Sequence, residues 1–148
     1  MEPITKIDTD LGEKQFNINN FDLFVFDLDN TLYLHDTDIN YRLHYEENLK
    51  NFLIKLKRDN KKLAIASHNR APSYFLNLMG IYDYFDIIIG EYPRSKLDMI
   101  KEIQIKTNIQ NDKIIFFDDL YSNIKECNQF IESIHVNPFI GIKLIMQL

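Results

Sequence analysis

Five short apolar runs, each separated from the next by residues that repeat at helical spacing, leave this chain few folds to choose from. "FDLFVFD" opens the series, and Tyr45, Leu49, Phe52, Leu53 and Leu56 then fall on one helical face. "KLAIAS" reads as a second strand, and Pro72 suits the first turn of a helix carrying Phe75, Leu76 and Met79, which Gly80 is placed to stop. "FDIIIG" is a third strand. Ser95 and Asp98 form an S-x-x-D capping signature ahead of Leu97, Ile100 and Ile103, so the spacing predicts a helix from there. "KIIFFDD" is a fourth strand, Ile124, Cys127 and Ile131 face inward from the next helix, and "SIHV" is a fifth strand. The runs are apolar on consecutive rather than alternating positions, as strands buried on both faces require. The expected fold is a Rossmann-like three-layer α/β sandwich around a mainly parallel five-stranded sheet.

Length and patterning then set the domain count. At 148 residues, with no repeat and no Gly/Ser/Pro linker, the chain reads as an N-terminal arm or edge strand over residues 1–20 and a single domain over 21–148. A net charge of −5 disfavours a nucleic-acid or membrane partner. No apolar run reaches membrane-spanning length, and "MEPITKIDTD" lacks the basic-then-apolar order of a signal peptide, so a cytoplasmic location is expected. The lone Cys127 excludes an internal disulfide and any multi-cysteine zinc site. His35, His44, His68 and His135 have no ligand-like spacing, which argues against zinc of any kind.

In a parallel sheet of this kind, ligands sit beyond the carboxyl ends of the strands. Three of the runs end there in polar residues: Asp27 and Asp29, then Ser67, then Asp118 and Asp119. Two like charges about 5 Å apart repel by roughly 3 kcal/mol at an effective dielectric of about 20, so gathered aspartates need a counter-ion. Oxygen ligands at an open rim suit Mg²⁺, a hard cation. Beside such an ion a carboxylate can attack phosphorus, the role given to Asp27. Asp29, past the strand end, can protonate the leaving oxygen and later take a proton from water. Ser67 can donate to a phosphoryl oxygen. Lys96 opposes the macrodipole from the first turn of its helix, at a cost of about 0.3–1 kcal/mol, which hints at carboxylate or phosphoryl partners elsewhere. Each feature has a plainer reading: D-x-D-x-T as an Asx turn, Ser67 as a strand end, Lys96 as a solvated lysine with Arg94 as its rival.

Together, "FDLDNTL", "AIASHN", "PRSKLDMI" and "IIFFDDLYSN" resemble, in order, the four motifs of the haloacid dehalogenase-like (HAD) phosphohydrolases. Response-regulator receivers combine similar residues, but their lysine comes last, whereas Lys96 precedes Asp118 here. The closest resemblance is to the magnesium-dependent phosphatases that accept phosphotyrosine and some sugar phosphates. It implies an aspartyl-phosphate on Asp27, with Asp27, the backbone carbonyl of Asp29 and Asp119 holding Mg²⁺ and Asp118 and Asn123 in support. Thr31, His68, Asn69, Arg70 and Asn123 are the expected substrate-binding residues. His68 stands where those phosphatases often carry arginine, so chemistry transfers better than substrate preference. Leu32 to His44 is expected to be a loop, and Ser67 to Lys96 holds one helix and one strand, so no cap domain is expected. The loop can act as a small flap, with Tyr33, His35, Tyr41 and Arg42 as substrate contacts. The expected partner is a phosphorylated protein or small molecule. Rival readings are a phosphatase of nucleic acid ends or sugar phosphates, and a non-catalytic phosphate-binding module.

Overall fold

Strand β3 (Leu23–Phe26) organises the molecule, because both of its faces are covered and all four of its residues are fully buried. In the computed structural model, which describes residues 5–9 and 12–147, it lies between β4 (Lys62–Ser67) and β6 (Ile114–Asp118). With β5 (Ile87–Gly90) and β7 (Glu132–His135) they form a five-stranded sheet in the order β5-β4-β3-β6-β7, parallel throughout. The expected three-layer α/β sandwich is therefore present.

Successive side chains of a strand point to opposite faces, and the core divides accordingly. Phe24, Phe26, Leu63, Ile65 and Phe117 pack with helix α1 (Ile39–Arg58), α2 (Pro72–Leu78) and the short α5 (Lys143–Met146). Leu23, Val25, Ala64, Ala66 and Phe116 pack with α3 (Lys96–Thr107) and α4 (Tyr121–Cys127) on the other side. All five residues expected to face inward from α1 are buried, as are Ile124 and Cys127 of α4; Ile131 is buried too but lies past the end of that helix, not on it. Ser95 caps α3 by accepting from the Asp98 N–H, as its signature predicts.

Two expectations change. The loop expected to run to His44 ends at Asp38, whose carboxylate accepts from the N–H groups of Asn40 and Tyr41 and starts α1 at Ile39. Its first turns escape a burial-based reading because Ile39 and Leu43 lie exposed. Of the arm expected over residues 1–20, residues 1–4, 10 and 11 lie outside the described residues. Within that span β1 (Thr5–Thr9) and β2 (Gly12–Phe16) pair antiparallel as a sheet of their own.

After β5 the chain crosses from one side of β3 to the other, so strand order reverses between β3 and β6. The crevice at such a switch point is where open α/β sheets bind ligands. Residues 27–38, between β3 and α1, and residues 68–95, between β4 and α3, carry no inserted domain.

Candidate active site

Register alone brings the first two aspartates together. Phe26 pairs with Phe117, and the ladder continues one residue further as the Asp27 N–H donates to the Phe117 carbonyl at 2.9 Å. Asp27 and Asp118 therefore end adjacent parallel strands side by side at the switch point. Oxygens of Asp27, Asp118 and Asp119 lie within 4.8 Å of one another.

Lys96 enters this cluster from the first turn of α3, and its Nζ lies 2.8 Å from Asp27 Oδ1 and 2.8 Å from Asp118 Oδ2. The helix-opening position that reads as unfavourable locally is thus matched by two carboxylates. The rival Arg94 is committed elsewhere, to Glu91, Asp98 and Glu102. Burial and the neighbouring Asp118 charge hold the Asp27 carboxyl well above the usual aspartate range, although Lys96 pulls it down. Burial also raises Asp119. For Lys96 burial works against the charged form, but the two carboxylates outweigh it and hold the ammonium above the ordinary lysine value.

The four charges leave a formal surplus of two negatives, in a donor set made only of carboxylate oxygens. That set fits a hard divalent cation such as Mg²⁺ and not a nitrogen- or sulfur-preferring metal. Within it the carboxylates differ. Asp118 is fully buried and engaged on both oxygens, Oδ1 by the Leu120 N–H and Oδ2 by Lys96 and Asn123 Nδ2. Asp27 carries fewer contacts, Oδ1 accepting from Lys96 and Oδ2 from Thr31, and Asp119 completes the cluster.

Asp29 stands apart. Its side chain is 37% exposed, Oδ1 lies 2.7 Å from His35 Nε2, and Oδ2 accepts from Asn69 Nδ2 at 3.3 Å. Its carboxylate is not part of the acidic cluster, so a metal role would fall to the backbone carbonyl.

Ser67 ends β4 fully buried, and its Oγ accepts from the Asn69 N–H, which leaves the hydroxyl hydrogen to donate. Thr31, expected as a substrate contact, is instead fully buried and donates to Asp27 Oδ2 at 3.2 Å. The His68 ring donates to the Arg94 carbonyl, and Arg70 donates to the Tyr92 carbonyl. Both side chains thereby tie the segment after β4 to the segment after β5. Of the expected flap contacts, Tyr41 donates to the Ile140 carbonyl, and Arg42 lies over the Tyr33 ring. Sequence reasoning passed over His135, which donates to the Asp119 carbonyl at 2.9 Å and steadies that residue's backbone. The signal was its place at the end of β7, in register with Asp118. Burial pushes the Cys127 thiol up to about 12, so it offers no nucleophile near neutral pH. Among the described residues no helix is long and apolar enough to cross a membrane.

The family model described as "Haloacid dehalogenase-like hydrolase" matches residues 33–131. No curated protein matches the sequence. Among solved structures, the chain is similar to the phosphatase-domain-containing N-terminal part of protein BF1531 from Bacteroides fragilis, solved with Mg, at a TM-score of 0.70 and 19% identity. That match covers 86% of this chain and 39% of the other. The haloacid dehalogenase-like hydrolase SP0104 from Streptococcus pneumoniae aligns at a TM-score of 0.62 and 13% identity, over 86% of this chain and 90% of that one. The 3-deoxy-D-manno-octulosonate 8-phosphate phosphatase of Moraxella catarrhalis, solved with magnesium, phosphate and KDO, aligns at 0.53 and 19%, over 74% and 63%. At these identities the likeness is one of fold.

Proposed function

The chain belongs to the haloacid dehalogenase-like hydrolase family, and we propose that it is a Mg²⁺-dependent phosphomonoester hydrolase that works through an aspartyl-phosphate on Asp27. The observation that carries this reading is the buried ammonium of Lys96, 2.8 Å from both Asp27 and Asp118, at the rim where three aspartates converge. Phosphoryl transfer needs mainly positioning and neutralised charge, and this rim offers both.

In the first step an Asp27 oxygen bonds to phosphorus, the ester P–O bond breaks, and Asp29 gives its proton to the departing oxygen. In the second, Asp29 takes a proton from water, the water oxygen bonds to phosphorus, and the acyl-phosphate P–O bond breaks to return the Asp27 carboxylate. Ser67 and Lys96 donate to the phosphoryl oxygens meanwhile. Mg²⁺, held by Asp27, Asp119 and the Asp29 carbonyl with Asp118 in support, would supply neutralisation of phosphoryl charge.

Asp27→Asn tests the nucleophile. Turnover of p-nitrophenyl phosphate should fall by about 10³-fold or more, while the melting temperature stays near or above that of the parent. A variant that keeps most of its activity would contradict the assignment. EDTA should silence the enzyme and Mg²⁺ restore it.

Tyr92, Leu120 and Tyr121 stand exposed on the segments that follow β5 and β6, next to the site. A site with no inserted domain over it and such side chains at its border favours a phosphate carried on a larger molecule, and a phosphotyrosine protein is the substrate class we favour. Comparing a phosphotyrosine peptide, a 3′-phosphorylated oligonucleotide and sugar phosphates on one preparation tests that choice. A protein that binds Mg²⁺ and cleaves none of them would be a non-catalytic phosphate-binding module.

A further inference from the structure

We propose that His35 is a positioning residue for the acid step: it holds Asp29 by Oδ1 and leaves Oδ2 to carry the proton given to the departing oxygen. The proposal rests on the phosphatase reading above, in which Asp29 is the acid. Its own basis is geometric. After Asp29 the chain turns sharply, with Asn30 in the left-handed region at φ 61 and the Leu28 carbonyl accepting from the N–H groups of Thr31, Leu32 and Tyr33. The Asn30 N–H donates to the Tyr33 carbonyl at 2.7 Å, and Asn30 Oδ1 accepts from the His35 N–H. The winding carries His35 back over the residue six positions before it.

Once there, the ring is held on two sides. Tyr33 lies edge-on to it at 4.8 Å between centroids, and Phe75 of α2 lies 6.4 Å away. Nε2 then meets Asp29 Oδ1 at 2.7 Å. An ionised carboxylate only accepts, so Nε2 bears the hydrogen in that state. The remaining partner of Asp29, Asn69 Nδ2, reaches Oδ2 at the longer distance of 3.3 Å, which leaves that oxygen the more available of the two. Asp29 is past the end of β3 and 37% exposed, so without His35 its carboxylate would have several rotamers to sample. General acids are effective only when held within hydrogen-bond reach of the atom they protonate.

The test separates the hydrogen bond from ring packing. His35→Phe keeps a ring beside Tyr33 and Phe75 but loses the donor, whereas His35→Gln keeps a donor at about the reach of Nε2 and loses the ring. kcat/KM covers the steps up to departure of the leaving group, so it isolates the acid step. Departure of p-nitrophenolate needs little protonation and departure of phenolate needs much more. The ratio of kcat/KM for p-nitrophenyl phosphate to that for phenyl phosphate should rise about tenfold or more in His35→Phe and stay within about twofold of the parent in His35→Gln. Equal losses on both substrates, or the reverse pattern between the variants, would overturn the proposal. If the parent enzyme cleaves neither substrate, the phosphatase reading fails instead, and the ring nitrogens of His35 decide the contact by themselves. Their ¹⁵N resonances should report an Nε2-protonated ring that shifts in Asp29→Leu, and a ring indifferent to that change would remove the basis of the proposal.

Discussion

Lys96 is 2% exposed, and a buried ammonium persists only where anions and hydrogen-bond acceptors surround it. Asp27 and Asp118 supply both, and with a formal surplus of two negatives in the cluster the carboxylates depend on Lys96 more than it depends on either one of them. Taking one member from a buried ion pair leaves an uncompensated charge and costs about 3–5 kcal/mol. Lys96→Met should therefore lower the unfolding free energy in urea by about that amount and reduce kcat by about 10²-fold or more, while Lys96→Arg should not rescue it, because a planar fork cannot take the place of a compact ammonium. A Lys96→Met enzyme with parental stability would mean that the two carboxylates do not need this cation. At this scale the sequence was legible wherever a residue's place on a strand or helix fixes its direction. Ser67, Lys96 and Asp118 follow from that rule as positions on β4, α3 and β6, and Asp27 and Asp119 come one residue past the ends of β3 and β6. His35, Asn69 and His135 do not, because their contacts depend on how loops fold back, which no period encodes.

Between elements, a single carboxylate joins α1 to the edge of the sheet. Asp86, just before β5, accepts from the Leu63 N–H of β4 at 2.9 Å and from Lys57 Nζ near the end of α1 at 2.7 Å. Burial pushes the Asp86 carboxyl up, but those two hydrogen bonds and the charges of Lys57 and Lys62 outweigh it and hold the group below its ordinary value of 3.8. A carboxyl lowered by folding stabilises the fold above its unfolded pKa, and that stability is lost as pH falls through the folded value. Asp86→Asn should therefore cost about 1 kcal/mol at pH 7, kept small by solvent screening, and the gap between the two proteins should close below about pH 4. Melting curves across that range would show it, and a gap that widened in acid would contradict it.

Gly90 makes the complementary argument at the same scale. A Cβ built there would stand 2.3 Å from the Asn69 carbonyl oxygen and 2.6 Å from Pro72 Cδ. The strand is in register with Ser67, so the segment that would have to move is the one that carries the site. Gly90→Ala should cost about 1–3 kcal/mol by overpacking and reduce kcat/KM well beyond what a stable surface variant would. Neither contact was legible beforehand: "FDIIIG" announces a strand, but which backbone it presses against is a property of the sheet order.

Across the whole molecule, sheet order converts a list of distant residues into one charged site. Consecutive apolar runs fix a sheet buried on both faces, and the crossing after β5 puts β6 beside β3, so residues 91 positions apart in the chain, Asp27 and Asp118, become neighbours. The parallel sheet could be expected from alternation of strands and helices, though not the order of its strands. The pairing of β1 with β2 as a separate sheet, and the packing of α5 against α1, could not, since polar or very short segments carry too weak a pattern.

A cation that binds this folded arrangement and not the unfolded chain must stabilise the whole molecule. At about one hundred times its Kd, a ligand of the native state adds roughly 2.7 kcal/mol, which for a chain of this length corresponds to a rise of about 5–10 °C in Tm. Mg²⁺ titrated at constant ionic strength should produce such a rise in the parent protein. Asp119→Asn removes one carboxylate charge from the cluster and leaves the Lys96 contacts to Asp27 and Asp118 in place. It should shift the response to higher Mg²⁺ by about tenfold or abolish it. Sodium at matched ionic strength should do neither, because screening acts on exposed charges and the convergence of Asp27, Asp118 and Asp119 is largely withdrawn from solvent. An unchanged Tm at millimolar Mg²⁺ would mean that the acidic rim is neutralised by Lys96 and bound protons alone.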